Sequence, residues 1–541
     1  MENNLLNDVS SDSQESVDEV SSEIQEYTAE SKRRRQLFPR AALVGLGAGL
    51  VAALFRAALT GADALRNQLL IWSHNYLVLG WIFPMLLSIT GAVISVMLVR
   101  HFAPEASGSG VPHLEGVMHR LRTLNWKRVL PVKFIAGALS IGSGLALGRE
   151  GPTVQMGASI GDAVSRWFKS LPRERQTLIA AGGGAGLAAA FNAPLAGVVF
   201  VLEEIQRDFQ PLVFGAAFLA SAIADIVVSF LFGGRPVFNV PNYQTPPLAS
   251  LPVFAILGVL AGLLGVAFNR SLLGTVDLFS AFGERWRLGI AAGVGAIVGL
   301  IGWFAPIAIG DGHALAELVL AGEFALASIP LFFITRFFLS VSSYGTGTAG
   351  GIFAPLLTLG ALLGLATGQI AHFFAPAVVP EPAVFAVVGM AAYFAAIVRA
   401  PLTGIVLILE MTGDYQQMLP LLVCCFCAYA VAELMKDLPI YEALLERDLL
   451  RDHSHTSLKR PMVIEVEVGE GSLFAGREIR MLGLPSGVVL IRCVEGGREF
   501  VPMASTRLEA HMKITAVIAP EATNGLDVLR HGCKAGKKRN S

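Results

Sequence analysis

Gly148-Arg149-Glu150-Gly151-Pro152-Thr153-Val154-Gln155-Met156-Gly157-Ala158-Ser159-Ile160-Gly161 aligns without a gap on Gly351-Ile352-Phe353-Ala354-Pro355-Leu356-Leu357-Thr358-Leu359-Gly360-Ala361-Leu362-Leu363-Gly364. Four glycine or proline positions and one alanine coincide. Farther along each copy, Ala193-Pro194-Leu195-Ala196-Gly197 leads to Glu203 as Ala400-Pro401-Leu402-Thr403-Gly404 leads to Glu410, with proline, glycine and closing glutamate in register. Two matches in the same order make an internal repeat, so the halves 40–232 and 250–434 follow one plan.

The repeat lies in apolar surroundings. The 541 residues are 53% hydrophobic and 15% charged, with a mean hydropathy of +0.59, whereas about a quarter of the residues of an ordinary soluble domain are charged. Segments 41–59, 80–99, 211–231, 253–267 with its flanks, 289–308 and 419–434 read as full helical crossings, which take roughly 20 residues. Shorter apolar pieces at 136–146, 177–190, 195–202, 384–398 and 402–409 are punctuated by glycine and proline. They read as broken or re-entrant helices around a protein-lined cavity. The fold class is therefore an all-α polytopic membrane protein. Gly/Pro-interrupted segments at corresponding places in two halves point to a transporter's binding site near the midplane. An odd number of crossings per half would require the halves to be inverted.

Residues 1–36 are acidic and Ser-rich and are expected to be disordered. Lys32-Arg33-Arg34-Arg35 and Arg40 precede the first apolar run and place the N-terminus in the cytoplasm. That run continues without a cleavage-like site, so no signal peptide is read. Cys424, Cys425 and Cys427 sit in an apolar segment with no His or carboxylate at ligand spacing and are read as packing residues. Neither a metal nor a cofactor is expected.

A bare anion in hydrocarbon is very costly, and a full positive charge beside it would hold it too tightly for release. Helix N-termini offer unpaired N–H groups and about half a positive charge, and glycine lets the backbone approach the ion. Three stretches have this form: Gly108-Ser109-Gly110-Val111-Pro112, Gly148 to Pro152 with Gly151, and Gly350-Gly351-Ile352-Phe353-Ala354-Pro355. In each, proline suits a first helical turn, where its missing N–H costs nothing. Taken singly, such a cluster is equally a kink or a tight helix contact. Ser109 adds a hydroxyl donor. Glu150 is an acid inside the apolar region, and such acids mark ion or proton pathways. Over the N–H cradle its carboxylate would hold the anion's place, and protonation would vacate it. Glu203 and Glu204 close an apolar helix before Gln206-Arg207-Asp208, and local sequence leaves open that one or both are simply solvated there.

These residues resemble the CLC family of chloride channels and chloride/proton exchangers, on GSGVP at 108–112, GREGP at 148–152, GGIFAP at 350–355, the NAPLAG and RAPLTG repeats, and Leu438-Pro439-Ile440-Tyr441. The likeness spans 40–446 within a transmembrane domain at 37–446. It implies two inverted halves of tilted helices and a homodimer with one pore per subunit. Ser109, Tyr441 and the amides of Ile352 and Phe353 would then contact a central chloride. Glu150 would be the gating glutamate that relays protons, and Glu204 the internal proton-transfer glutamate. Channel members generally lack an acid at the latter position, which favours exchange, and Ser109 in place of proline favours chloride over nitrate.

After a polar connector at 447–460, short β-branched runs at 463–468, 488–493, 499–501 and 514–518 read as a small cytosolic α+β module over 461–522, followed by a tail at 523–541. The module is similar to the RCK-C (TrkA C-terminal) regulatory fold in Gly471 to Ile479, Leu484-Pro485-Ser486-Gly487 and Thr506 to Glu509. His511-Met512 replaces the fold's usual Gly-Asp turn. It would serve either dimerisation or the sensing of a small ligand. The reading is thus a multi-pass protein of a prokaryotic-type inner membrane with both termini cytoplasmic and no nucleic-acid partner. It would exchange chloride for protons or, as the alternative, pass chloride as a gated channel. An intramembrane enzyme is disfavoured because no nucleophile or zinc motif accompanies the glutamates. Cation sites favour helix C-termini over glycine-rich N-termini.

Overall fold

Among the described residues, eight helices have the length and hydropathy to cross a membrane: Arg35–Ser73, Ile82–Phe102, Pro211–Phe232, Leu248–Ala281, Glu284–Phe304, Leu326–Gly345, Phe353–Phe374 and Tyr415–Leu434. Four of them contain spans read from the sequence, and two more, Ile82–Phe102 and Glu284–Phe304, overlap the spans 80–99 and 289–308. The other two were missed there, because Arg336 interrupts the apolar pattern of one and the second begins on the glycine-rich motif. Their outer faces expose large apolar side chains such as Leu54, Phe230, Phe304, Phe338 and Phe373, a surface that a water-soluble monomer does not sustain. The computed structural model describes residues 2–76, 78–238, 240–241, 243–453, 462–495, 498–519, 522 and 525–534. They divide into two units, Met1–Leu444 and Leu445–Ser541.

Inside the first unit lie shorter helices, among them Val111–Met118, Glu150–Trp167, Pro172–Phe191, Pro194–Phe200, His313–Leu320, Val384–Val398 and Pro401–Thr412. Every residue of Val384–Val398 is buried, as befits a helix that is apolar all round. The repeated glycines explain how such helices pack. Gly157 faces Gly182 and Gly161 faces Leu178, while in the second half Gly360 faces Gly389 and Gly364 faces the carbonyl of Phe385. A Cβ on any of the four would collide with the facing backbone. Gly364→Ala is accordingly expected to lower thermal stability in detergent by about 1–3 kcal/mol, the cost of overpacking. In contrast, Gly293→Ala, with nothing near its added methyl, should be neutral or stabilising by up to about 1 kcal/mol.

The halves meet where their equivalent segments pair. Gly148 N–H donates to Gly351 O at 2.7 Å and Gly351 N–H to Gly148 O at 2.8 Å, an antiparallel bridge between positions that the repeat makes equivalent. Equivalent segments paired antiparallel run in opposite directions, which is what inversion of one half against the other requires.

Both ends differ from the sequence reading. The stretch expected to be disordered is continuous with the first crossing, in one helix Glu2–Ser73. Its Glu, Gln, Lys and Arg residues are good helix formers, and extending a helix that is already nucleated costs little. At the other end, helix Ile440–His453 runs into the expected connector, of which 454–460 lie outside the described residues.

The second unit holds strands β1 (Met462–Glu467), β2 (Val488–Glu495), β3 (Arg498–Phe500) and β4 (Lys513–Ile518). They form an antiparallel sheet in the order β1-β4-β2-β3. Val468, Leu490, Cys493, Ile514, Ala516 and Ile518 contribute to its core. Helix Gly525–Cys533 falls in the stretch read as tail. It is built into the unit because Leu529 and Cys533 are buried and Gly469 N–H bonds to Cys533 O at 2.8 Å. Burial pushes the Cys533 thiol up to about 11, so it stays neutral and inert at physiological pH. His511, standing where the resembled fold usually has glycine, takes φ +69°, the left-handed conformation that glycine adopts without strain.

Candidate functional site

Glycine-rich stretches that lie far apart in the chain converge at the paired segments. Gly108 N–H donates to Thr348 O at 3.0 Å and Gly350 N–H to Gly108 O at 2.9 Å, so the first stretch lies along the third. A Cβ on Gly151 would meet Ser109, its carbonyl oxygen at 2.8 Å, and one on Gly351 would stand 3.1 Å from Gly151 N. Gly110 can occupy the turn before helix Val111–Met118 because it takes φ +87°. Helices Val111–Met118, Glu150–Trp167 and Phe353–Phe374 thus begin around one small region, where their first-turn N–H groups lack helical partners.

Ser109, Ile352, Phe353 and Tyr441 are all fully buried there. The Ser109 and Tyr441 hydroxyls lie near each other but outside hydrogen-bonding geometry. Two buried donors aimed at a common region suit a small dehydrated anion. Phe353 stacks on Tyr441 with centroids 6.2 Å apart and lies 4.8 Å from Phe394 and 5.8 Å from Phe200, forming an apolar wall. Lys133, which the sequence reading passed over, is fully buried. Its Nζ donates to Ala106 O at 3.0 Å and Gly108 O at 2.7 Å. The carbonyls of the Ser109 loop are therefore engaged by the ammonium, which compensates the buried charge.

Glu150 is buried at the start of its helix. Its Oε2 accepts the Ala354 N–H at 3.4 Å, in the first turn of the second half's helix Phe353–Phe374. The carboxylate thus occupies a helix N-terminus of the kind that binds anions. Beside it is a cavity of ≈ 20 Å³ lined by Arg149, Phe238, Asp311 and His313 among others. Arg149, Asp311 and His313 also line a vestibule of ≈ 720 Å³ that carries Arg56 and Arg66.

Glu203 and Glu204 have separate fates, and neither is simply solvated. Both lie in a π-helical turn, Val201–Ile205, that continues helix Pro194–Phe200. The Glu203 carboxylate accepts Leu402 N–H at 3.1 Å and both the N–H and hydroxyl of Thr403 at 2.7 Å, so it caps helix Pro401–Thr412. Glu410 does the same in return, accepting Leu195 N–H at 3.0 Å and Ala196 N–H at 2.7 Å. The repeat's closing glutamates are thus exchanged between the halves. Glu204 is instead buried against the carboxyl of Glu115, a residue of helix Val111–Met118 that sequence reasoning missed. Arg207 stands beside this pair and is itself paired with Glu442.

A further match could have been read from the sequence. Ala103-Pro104-Glu105-Ala106-Ser107-Gly108-Ser109-Gly110 aligns without a gap on Ala305-Pro306-Ile307-Ala308-Ile309-Gly310-Asp311-Gly312. Buried Arg336 donates to Ala308 O at 3.3 Å and Gly310 O at 2.7 Å, the counterparts of the two carbonyls held by Lys133.

Comparison with known proteins follows the same division. Residues 91–433 match the family described as voltage gated chloride channel, and residues 463–527 match the TrkA-C domain. The chain is 40% identical over 426 residues to the H(+)/Cl(-) exchange transporter ClcA of Citrobacter koseri, covering 77% of this chain and 90% of that one. It is 43% identical over 418 residues to ClcA of Vibrio parahaemolyticus, covering 76% and 90%. The solved structure of a slow cyanobacterial Cl-/H+ antiporter superposes with a TM-score of 0.74 at 38% identity, over 77% of this chain and 98% of the other. With its repeated halves, converging helix N-termini and family match, the chain belongs to the voltage gated chloride channel (CLC) family and carries a C-terminal TrkA-C domain.

Proposed function

We propose that the chain is a chloride/proton antiporter in which Glu150 and a chloride ion compete for one set of helix N-termini. The observation that carries this reading is the Glu150 carboxylate against the Ala354 amide, with Ser109 beside the adjoining Gly151. Ser109, Tyr441 and the amides of Ile352 and Phe353 hold the central chloride. An ionised Glu150 closes the path toward the vestibule, and a protonated Glu150 gives up its place and carries the proton. Arg56, Arg66 and Arg149 draw anions toward the site through their field.

On the other face, Glu204 and Glu115 form the proton-transfer pair. Two carboxyls in contact can hold one proton between their oxygens, and Arg207 and Glu442 connect them toward the surface. The basic cluster at 32–35 supports a cytoplasmic N-terminus, so the Glu204 face is cytoplasmic and the vestibule external. The functional unit is taken as a homodimer, in keeping with the family, and the TrkA-C domain as a regulatory module that binds a small ligand.

An outward chloride gradient across proteoliposomes is expected to drive protons inward against their own gradient, recorded with a pH electrode while a chloride electrode follows efflux. Chloride efflux with no proton movement would make the protein a passive channel and remove the exchange reading.

A further inference from the structure

We infer that Asp311 is the proton-relay residue between the vestibule and Glu150, a role that rests on Glu150 carrying the transported proton. The pseudo-two-fold relation of the halves places it there. Gly310-Asp311-Gly312 is the second-half copy of Gly108-Ser109-Gly110. Both loops precede an eight-residue helix, and Gly110 at φ +87° and Gly312 at φ +89° make the same turn. Both have their carbonyls tied to a buried cation, Lys133 in one case and Arg336 in the other. The first loop sets Ser109 against Gly151, and the second lines the Glu150 cavity together with Ala354, the repeat counterpart of Gly151. Where the first half offers a hydroxyl, the second offers a carboxylate next to the amide that holds Glu150.

A hydroxyl at this position would be neutral, and glycine would leave Glu150 to exchange protons with water alone. An acid can accept a proton from vestibule water and return to carboxylate by passing it on. The ≈ 20 Å³ cavity exceeds the roughly 10–15 Å³ that a single water needs, so it has room for one water in a lining that includes both acids. Asp311 fits the task because it faces both spaces, lining the cavity and the vestibule alike.

The charged and titratable groups around it come from every packed element. Helix Glu2–Ser73 supplies Arg56, Asp63 and Arg66, with His74 beyond its end, and Arg149 precedes Glu150. Arg336 donates to the Asp311 carbonyl at 2.9 Å. On the helix that its loop precedes, His313 Nε2 lies 3.4 Å from Glu317 Oε1, and the His313 ring stacks on Phe238 at 4.8 Å. Within the vestibule lining, Arg56, Arg66 and Arg149 outweigh Asp63 and Asp311, which keeps an anionic relay compatible with chloride access.

Asp311→Asn tests the relay without disturbing the turn, because Asn Oδ1 can still accept the His313 N–H that Asp311 Oδ1 accepts at 3.0 Å. In proteoliposomes at equal pH on both sides, D311N is expected to slow chloride-driven proton uptake by about tenfold or more, less than the roughly 10²–10⁴-fold of a positioned general acid or base because vestibule water still reaches Glu150 slowly. The decisive comparison is made in the Glu150→Gln background. There, chloride efflux of E150Q and of E150Q/D311N should agree within about twofold, because a relay has nothing left to serve. Wild-type proton uptake in D311N would overturn the relay, and so would an equal change in chloride efflux in both backgrounds, which would mark Asp311 as an anion-access charge. An E150Q protein that still couples protons would instead overturn the Glu150 reading itself.

Discussion

Glu150→Gln is expected to keep chloride moving within a few-fold of the wild-type rate while abolishing chloride-driven proton uptake. Glutamine has the shape of glutamate, and its Oε1 can accept the Ala354 N–H that the Glu150 carboxylate accepts at 3.4 Å, so the local fold persists. What it lacks is charge and a titratable proton. A carboxylate at a helix N-terminus is favoured by the partial positive charge there; a neutral amide is favoured less and cedes the place to chloride. Anion occupancy then no longer depends on protonation, and each chloride passes without an obligatory proton. Simultaneous chloride and pH electrodes on proteoliposomes give both rates in one trace. Proton uptake persisting in E150Q would place the coupling acid elsewhere, and loss of both fluxes would mean that the side chain holds the site together instead of gating it.

The sequence disclosed this arrangement only where residue type and chemistry coincide. Gly148, Pro152, Gly351 and Pro355 recur in register because a helix start packed this closely against another backbone tolerates little else, so the convergence of the N-termini was legible. The fully buried helix Val384–Val398 was visible as a short apolar piece. Phe353–Phe374 was not seen as a crossing, since the same glycines that build its N-terminus made it look interrupted. The buried charges were hidden for another reason. Lys133, Arg336 and Glu115 each stand alone in apolar sequence, and their partners are backbone carbonyls or a residue far along the chain. No local pattern records such a partner. Asp311 escaped notice because its loop shares with the Ser109 loop only small residues and a proline. The terminal strands were legible because period-2 β-branched runs form a strand wherever they can pair. Helix Gly525–Cys533 was not, because what fixes it is the packing of Leu529 and the bonding of its last carbonyls to Gly469 and Phe474.

Adjacent glutamates should give opposite phenotypes. Glu203→Ala removes the acceptor for two backbone N–H groups and a hydroxyl at the start of helix Pro401–Thr412. Hydrogen bonds to a charged acceptor contribute about 1.5–3 kcal/mol, and loss of a helix cap costs about 0.5–2 kcal/mol. E203A is therefore expected to lower stability by about 2–3 kcal/mol, read as the midpoint of thermal unfolding in detergent, while surviving protein keeps the wild-type ratio of protons to chloride. Glu410→Ala should behave alike, since it strips the matching cap from Leu195 and Ala196. Glu204→Gln should do the reverse. Its carboxyl caps no helix and lies against Glu115, so an isosteric amide leaves the packing in place and stability nearly unchanged. It cannot share a proton with Glu115, however, and proton uptake should fall far more than chloride efflux. The repeat explains the division: Glu203 has a counterpart in Glu410, so its role is symmetric and structural, whereas position 204 corresponds to Met411 and its acid belongs to one half alone. A transporter is asymmetric in its two faces, and residues that break the repeat's symmetry are where that asymmetry must reside. Stability lost in E204Q with coupling intact, or coupling lost in E203A with stability intact, would exchange the two roles.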